Sequence, residues 1–137
     1  MLRWMPAPTA CLIAALLLVA GCDGQPGTKP PAAPAAGSKG TIGVSVLTMT
    51  NPFFKTIADT ITAAAAAKGY DTIVTSGEFD VARQQNQVKY FIVGRCAAIV
   101  LCPCDSRSIG PAIQEANTAG IPVFTADIAC LAPEAKV

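Results

Sequence analysis

The stretch TIGVSVLTMTNPFFKTIADTITAAAAAKGYDTIVTS, Thr41 to Ser76, decides the fold class. It opens and closes on short apolar runs rich in β-branched residues, TIGVSVL (Thr41–Leu47) and DTIVTS (Asp71–Ser76). Between them Phe54, Ile57, Ile61 and Ala65 recur at helical spacing, the mark of a helix with one buried stripe. Asn51-Pro52 reads as the helix start, with Asn as N-cap and Pro in the first turn, where its missing N–H costs nothing. Gly69 stands after Lys68, where a left-handed C-cap is expected. Strands that are apolar throughout, rather than at alternate positions, are buried on both faces and belong to parallel sheets.

The same unit repeats along the chain. AAIVLC (Ala97–Cys102) and IPVFTA (Ile121–Ala126) are two further strand-like runs, and the four starts are separated by 30, 26 and 24 residues. Helical spacing returns in Val81, Gln84, Val88, Phe91 and Ile92, and again in Ile109, Ala112, Ile113 and Ala116. Asp80 is placed to cap the second helix, and Gly94 and Gly120 to end the second and third in the left-handed conformation. For the third helix both Asp105 and Ser108 are placed as caps. The spacing predicts an α/β fold, an open parallel sheet of four βα units with right-handed crossovers. Such sheets bind ligands at the carboxyl ends of their strands, which brings together four loops: 48–54, 77–80, 103–108 and 127–131.

Working outward, Arg3 is the only charge before Asp23 and precedes the 11-residue apolar run ACLIAALLLVA, which ends in small residues before Cys22. That is the layout of a secretory signal peptide over residues 1–21, too short to span a bilayer. Val19-Ala20-Gly21-Cys22 also resembles the bacterial lipoprotein signal, which implies a diacylglycerol anchor on Cys22. Residues 22–40, rich in Pro, Ala and Gly, have no apolar periodicity and read as a tether. Residues 41–137 remain as the folded material, with seven Lys and Arg against eight carboxylates.

Composition narrows the chemistry. The 137 residues carry 10 Lys+Arg, 9 Asp+Glu and no His, a net charge of +1. That balance lacks the cationic excess that neutralises several phosphates, so no nucleic-acid partner is expected. Without His there is no Ser-His-Asp or Cys-His nucleophile and no His-ligated zinc, and the chain is read as a non-enzyme without cofactor or metal. The loop 77–80 lacks the repeated glycines of a phosphate cradle. The informative groups are instead Asn51, Phe53 and Phe54 after strand one, Asp105 after strand three and Asp127 after strand four. An aromatic ring beside amide and carboxylate groups suits a carbohydrate, which has apolar C–H faces and a hydroxyl rim. Each residue also has a structural reading: Asn51 as a cap, Phe54 as core, Asp105 and Asp127 as caps of a helix or loop. Of the four cysteines in the folded part, Cys104 and Cys130 lie at one sheet edge, within possible disulfide reach, and Cys96 at the other.

Thr41–Phe54 (TIGVSVLTMTNPFF), Val100–Ser106 (VLCPCDS) and Ile121–Asp127 (IPVFTAD) together resemble the amino-terminal lobe of type I periplasmic sugar-binding proteins of ABC transporters, the ribose-binding-protein group. The resemblance implies that Asn51 hydrogen-bonds a sugar, that Phe53 and Phe54 pack on its faces and that Asp127 takes two hydroxyls. Ile128 stands where ribose binders carry Arg, so the substrate is expected to be a monosaccharide or related polyol rather than ribose specifically. The family has a second lobe, expected to be absent here, so that the sheet is incomplete and the chain a fragment. The implied partners are a small-molecule sugar and an inner-membrane ABC permease, on the periplasmic or outer side of the cytoplasmic membrane. The other class left open is a sugar-sensing receptor domain that reports to a kinase or chemoreceptor.

Overall fold

The computed structural model describes residues 35–133 and 135–137. The segment read as a signal peptide, Cys22 and the first part of the segment read as a tether lie outside the described residues. Four strands alternate with three helices: β1 (Thr41–Val46), α1 (Pro52–Ala67), β2 (Asp71–Ser76), α2 (Val81–Val93), β3 (Ala98–Leu101), α3 (Gly110–Thr118) and β4 (Val123–Thr125). All pairings are parallel, in the order β2-β1-β3-β4. The four βα units and the parallel sheet are as expected, although β4 is three residues long where six were read.

The strand order follows from the crossovers. The chain steps from β1 to β2 through α1, then returns across β1 to β3 through α2, so right-handed connections put α1 on one face and α2 with α3 on the other. Two hydrophobic clusters result. Val44, Val46, Phe54, Ala58 and Cys102 pack under α1. Phe91, Ile99, Leu101, Ile109 and Ile113 are fully buried in the cluster beneath α2 and α3. Gly43 lets α2 approach the sheet closely, since a Cβ there would come within 2.5 Å of the Phe91 ring.

The helix ends show where residue identity and geometry part. All three helices close in the Schellman pattern, with paired bonds such as Tyr70 N–H to Ala65 O at 3.0 Å and Ile121 N–H to Ala116 O at 2.9 Å. Gly69 and Gly120 take the left-handed position, with φ of 83° and 77°. Gly94 does not: its φ is −73°, and Arg95 adopts the left-handed angle of 52° instead. Helix α2 runs one residue further than the glycine suggests, because Cys96 N–H must reach Phe91 O, at 3.1 Å, before the chain turns into β3.

The body begins before Thr41. Ala35 N–H donates to Asp71 Oδ2 at 2.9 Å and Lys39 N–H to Gly69 O at 2.8 Å, so the last residues of the segment read as tether are fastened to the domain. No helix among the described residues is long and apolar enough to cross a membrane.

Candidate functional site

Strand order reverses between β1 and β3, which makes the crevice at their carboxyl ends the expected ligand position. The four loops meet there. Gly77 N–H donates to Val46 O at 2.8 Å, Thr48 Oγ1 to Glu78 Oε2 at 3.3 Å, and Leu131 N–H to Ser106 O at 2.7 Å. The Cys104 thiol lies against the β2–α2 loop, close enough that a Cβ at Gly77 would sit 2.7 Å from its sulfur.

Helix α2 holds these strand ends in place with two glutamines. Gln84 is completely buried; its Nε2 donates to Ser45 Oγ at 3.1 Å and to Cys102 O at 2.9 Å, and its Oε1 accepts Cys104 N–H at 2.8 Å. Gln87 Oε1 accepts the Ser45 hydroxyl at 2.8 Å and its Nε2 donates to Ser76 O at 2.7 Å. Two side chains three residues apart on one face of α2 thus bind β1, the end of β2 and the start of the β3–α3 loop into one frame. The sequence placed Gln84 in the apolar stripe of α2. A polar residue at a core position is itself a signal, because it must find partners there.

The candidate residues differ in what occupies them. Asn51 caps α1, its Oδ1 accepting Phe53 N–H at 3.0 Å, and its amide nitrogen donates no hydrogen bond among the described residues. Phe53 is 52% exposed at the rim, whereas Phe54 is 6% exposed and belongs to the cluster under α1; the rings meet edge to face at 5.1 Å. Of these two rings, Phe53 therefore offers a face to a ligand without rearrangement. Asp105 is committed to the backbone: its Oδ1 accepts Ser108 N–H at 2.7 Å and Arg107 N–H at 3.0 Å. These bonds, from Ser108 first and then Arg107, hold its carboxyl below the usual carboxylate range. They cap the turn that precedes α3, and α3 itself starts at Gly110 with no side-chain cap.

Asp127 is the unengaged candidate. It is exposed, and its carboxylate accepts no hydrogen bond among the described residues, so it serves as no cap. Its φ is 67°, and Ile128 N–H reaches back to Ala126 O at 2.8 Å, the signature of a γ-turn of the rarer positive-φ kind. A left-handed L-residue costs on the order of 1–2 kcal/mol, and such strain concentrates at ligand-contacting positions. Its charge is felt by the buried Cys102 thiol, which burial first and Asp127 second push up to about 11. Cys104 and Cys130 are free thiols, so the disulfide considered from the sequence is not formed. Cys104 turns toward Gly77 while Cys130 packs on the cluster beneath α3. Burial, with Asp80 and Glu78, raises the Cys104 thiol against a lowering bond from Phe79 N–H. Among the described residues no group of three His, Cys, Asp or Glu side chains is arranged to hold a metal.

The loops at the carboxyl ends of the strands thus carry two exposed aromatic rings, Phe53 and Phe79, with the free amide of Asn51 and the free carboxylate of Asp127. A family profile described as periplasmic binding protein domain matches residues 42–137. The chain is 36% identical over 87 residues to a ribose import binding protein of Bacillus subtilis, covering 64% of this chain and 28% of that protein. It is 44% identical over 77 residues to a D-apiose import binding protein of Paraburkholderia graminis, covering 56% and 25%. The structure also superposes on a periplasmic solute binding protein of an ABC transporter from Actinobacillus succinogenes with bound D-allose, at a TM-score of 0.65 and 28% identity, covering 70% of this chain and 34% of that one. The chain thus spans roughly a quarter to a third of the length of the proteins it matches.

Proposed function

The chain belongs to the periplasmic binding protein domain family, and on that premise we propose that it supplies one wall of a sugar site in the solute-binding component of an ABC importer. Asp127 accepts hydroxyls of a monosaccharide or related polyol, Asn51 donates its amide, and Phe53 covers an apolar C–H face. The observation that carries this reading is the free carboxylate of Asp127, held in a strained turn at the carboxyl end of β4 beside the crevice. A structural carboxylate would accept backbone hydrogen bonds, as Asp105 does. Binding rather than catalysis fits the relatives, which are import binding proteins. The relatives' names support import as the role, and the name of the D-allose-bound structure supports an ABC transporter and the periplasm; the partner that fits this role is an inner-membrane permease. Cys22 is the proposed lipidation site; mass spectrometry of the membrane fraction tests it, and a mature chain with an unmodified Cys22 would reject it.

The sugar reading is tested by thermal unfolding of the chain with D-ribose, D-apiose, D-allose and myo-inositol. A sugar at ten times its dissociation constant stabilises by about 1.4 kcal/mol, a shift of several degrees for a domain this size. The expected result is a shift with one or more of these sugars that is lost in Asp127→Ala. No shift with any of them, or an equal shift in Asp127→Ala, contradicts the reading.

A further inference from the structure

Two consecutive residues between β2 and α2, Glu78 and Phe79, hold φ angles of 51° and 58°, and Asp80 N–H closes the turn on Gly77 O at 3.0 Å. This is the type I′ pattern, which ordinarily places Asn and Gly at its centre. A Glu and a Phe persist there only where the surroundings over-determine the backbone. Those surroundings are the β1–α1 loop. Gly77 N–H and Phe79 N–H donate to Val46 O and Leu47 O at 2.8 and 3.2 Å, and Met49 N–H donates to Ser76 Oγ at 3.1 Å.

The side chains complete a directional network. A carboxylate is a pure acceptor, so Glu78 sets the direction of each hydroxyl that reaches it. The Ser76 hydroxyl donates to Glu78 Oε1, and Thr48 Oγ1, which is 1% exposed, donates to Oε2 at 3.3 Å. With its proton so committed, Thr48 Oγ1 is the acceptor for the Thr50 hydroxyl at 3.0 Å and for Thr50 N–H at 3.3 Å. The chain of bonds ends beside Asn51, and Phe53 follows on the first turn of α1.

We propose that Glu78 is a positioning residue: through Thr48 and Ser76 it holds the β1–α1 loop in the shape that presents Asn51 and Phe53 to ligand. The proposal rests on the sugar-binding reading above for its functional consequence, but the holding of the loop is measurable without sugar. Glu78 is exposed, so its replacement leaves both core clusters untouched.

The test measures amide hydrogen exchange by NMR in the full chain and in Glu78→Ala and Glu78→Gln, with titration by D-ribose and D-allose. Glu78→Ala is expected to speed exchange at Met49 and Thr50 by about tenfold while Gly43 and Val44 in β1 stay unchanged. It is also expected to weaken sugar binding about fivefold, the penalty of ordering a loop on binding. Glu78→Gln keeps an oxygen for Thr48 and an amide donor for Ser76, and is expected to restore most of both. Unchanged exchange in Glu78→Ala, equal acceleration in both variants, or faster exchange at unaltered sugar affinity would each overturn the proposal. A parent chain that binds neither of these sugars, nor D-apiose nor myo-inositol, contradicts the sugar reading instead, and the exchange at Met49 and Thr50 then still decides whether Glu78 holds the loop.

Discussion

Gln84 Nε2 donates to the Cys102 carbonyl at 2.9 Å, and the same side chain accepts the Cys104 N–H at 2.8 Å. One buried amide thus satisfies a donor and an acceptor of the loop that leaves β3, and its second N–H takes Ser45 Oγ on β1. Replacing Gln84 by Met keeps the length and removes every one of these bonds. Each buried group left without a partner costs about 1–3 kcal/mol, so Gln84→Met is expected to lower stability by about 3 kcal/mol. Urea unfolding measures it; a loss within error of the parent would show that water replaces the amide.

The contrast between Gln84 and the rest of its helix indicates what sequence reading reaches. Periodicity located all three helices and four strands, because burying an apolar stripe or a doubly covered strand leaves a composition mark at each position. The strand ends were less legible: the β3–β4 register covers only Val123–Thr125, with Ala126 N–H still reaching Leu101 O at 2.8 Å before the chain turns at Asp127. Asn51 and Asp127 were legible as candidates because their types and places are suggestive in themselves. Glu78 was not, because its role depends on a left-handed turn that its sequence, Gly-Glu-Phe-Asp, disfavours and only the neighbouring loop imposes. Phe54 and Asp105 were read with both a ligand role and a structural one, and contacts that periodicity does not carry place the first in the core and the second in a turn.

The Cys102 thiol predicts a loss of stability in alkali. Its acid form is favoured in the folded state, where burial and the nearby Asp127 charge push the thiol up to about 11 from the ordinary 9.0. Below pH 9 both states keep the proton and the contribution is fully present. Between pH 9 and 11 the unfolded chain releases the proton first, so the folded state loses about 2 kcal/mol over that window. Comparing urea unfolding at pH 8 and pH 11 should show Cys102→Ala losing less than the parent by about that amount. Equal losses in the two proteins would contradict the placement of Cys102.

The α1 face of the sheet is covered only at its centre. Val74, Val44, Val100 and Phe124 form one register row across the four strands. Val44 is buried under α1 but Phe124 at the edge is 55% exposed and Val74 37%. Apolar surface of this kind, on an edge strand with unpaired backbone, favours self-association. Sedimentation velocity should show concentration-dependent association of the chain, weakened more than tenfold in Phe124→Lys, since burying the exposed ring contributes roughly 2 kcal/mol. A parent chain that stays monomeric at every concentration, or a lysine variant that associates equally well, would refute this.

In the proposed site Asn51, Phe53 and Asp127 form one wall around a sugar. One wall leaves much of a ligand solvated, so affinity in this chain is expected to be weak, on the order of millimolar. The most direct measurement is a residue-resolved NMR titration of the 137-residue chain with D-ribose, D-apiose, D-allose and myo-inositol. Saturable shifts are expected in the amides of Asn51, Phe53, Asp127 and Ile128 with at least one of these sugars, and about tenfold weaker binding in Asp127→Ala, where a charge-assisted acceptor is removed. Shifts confined to other parts of the chain, or none with any of the four sugars, would contradict it.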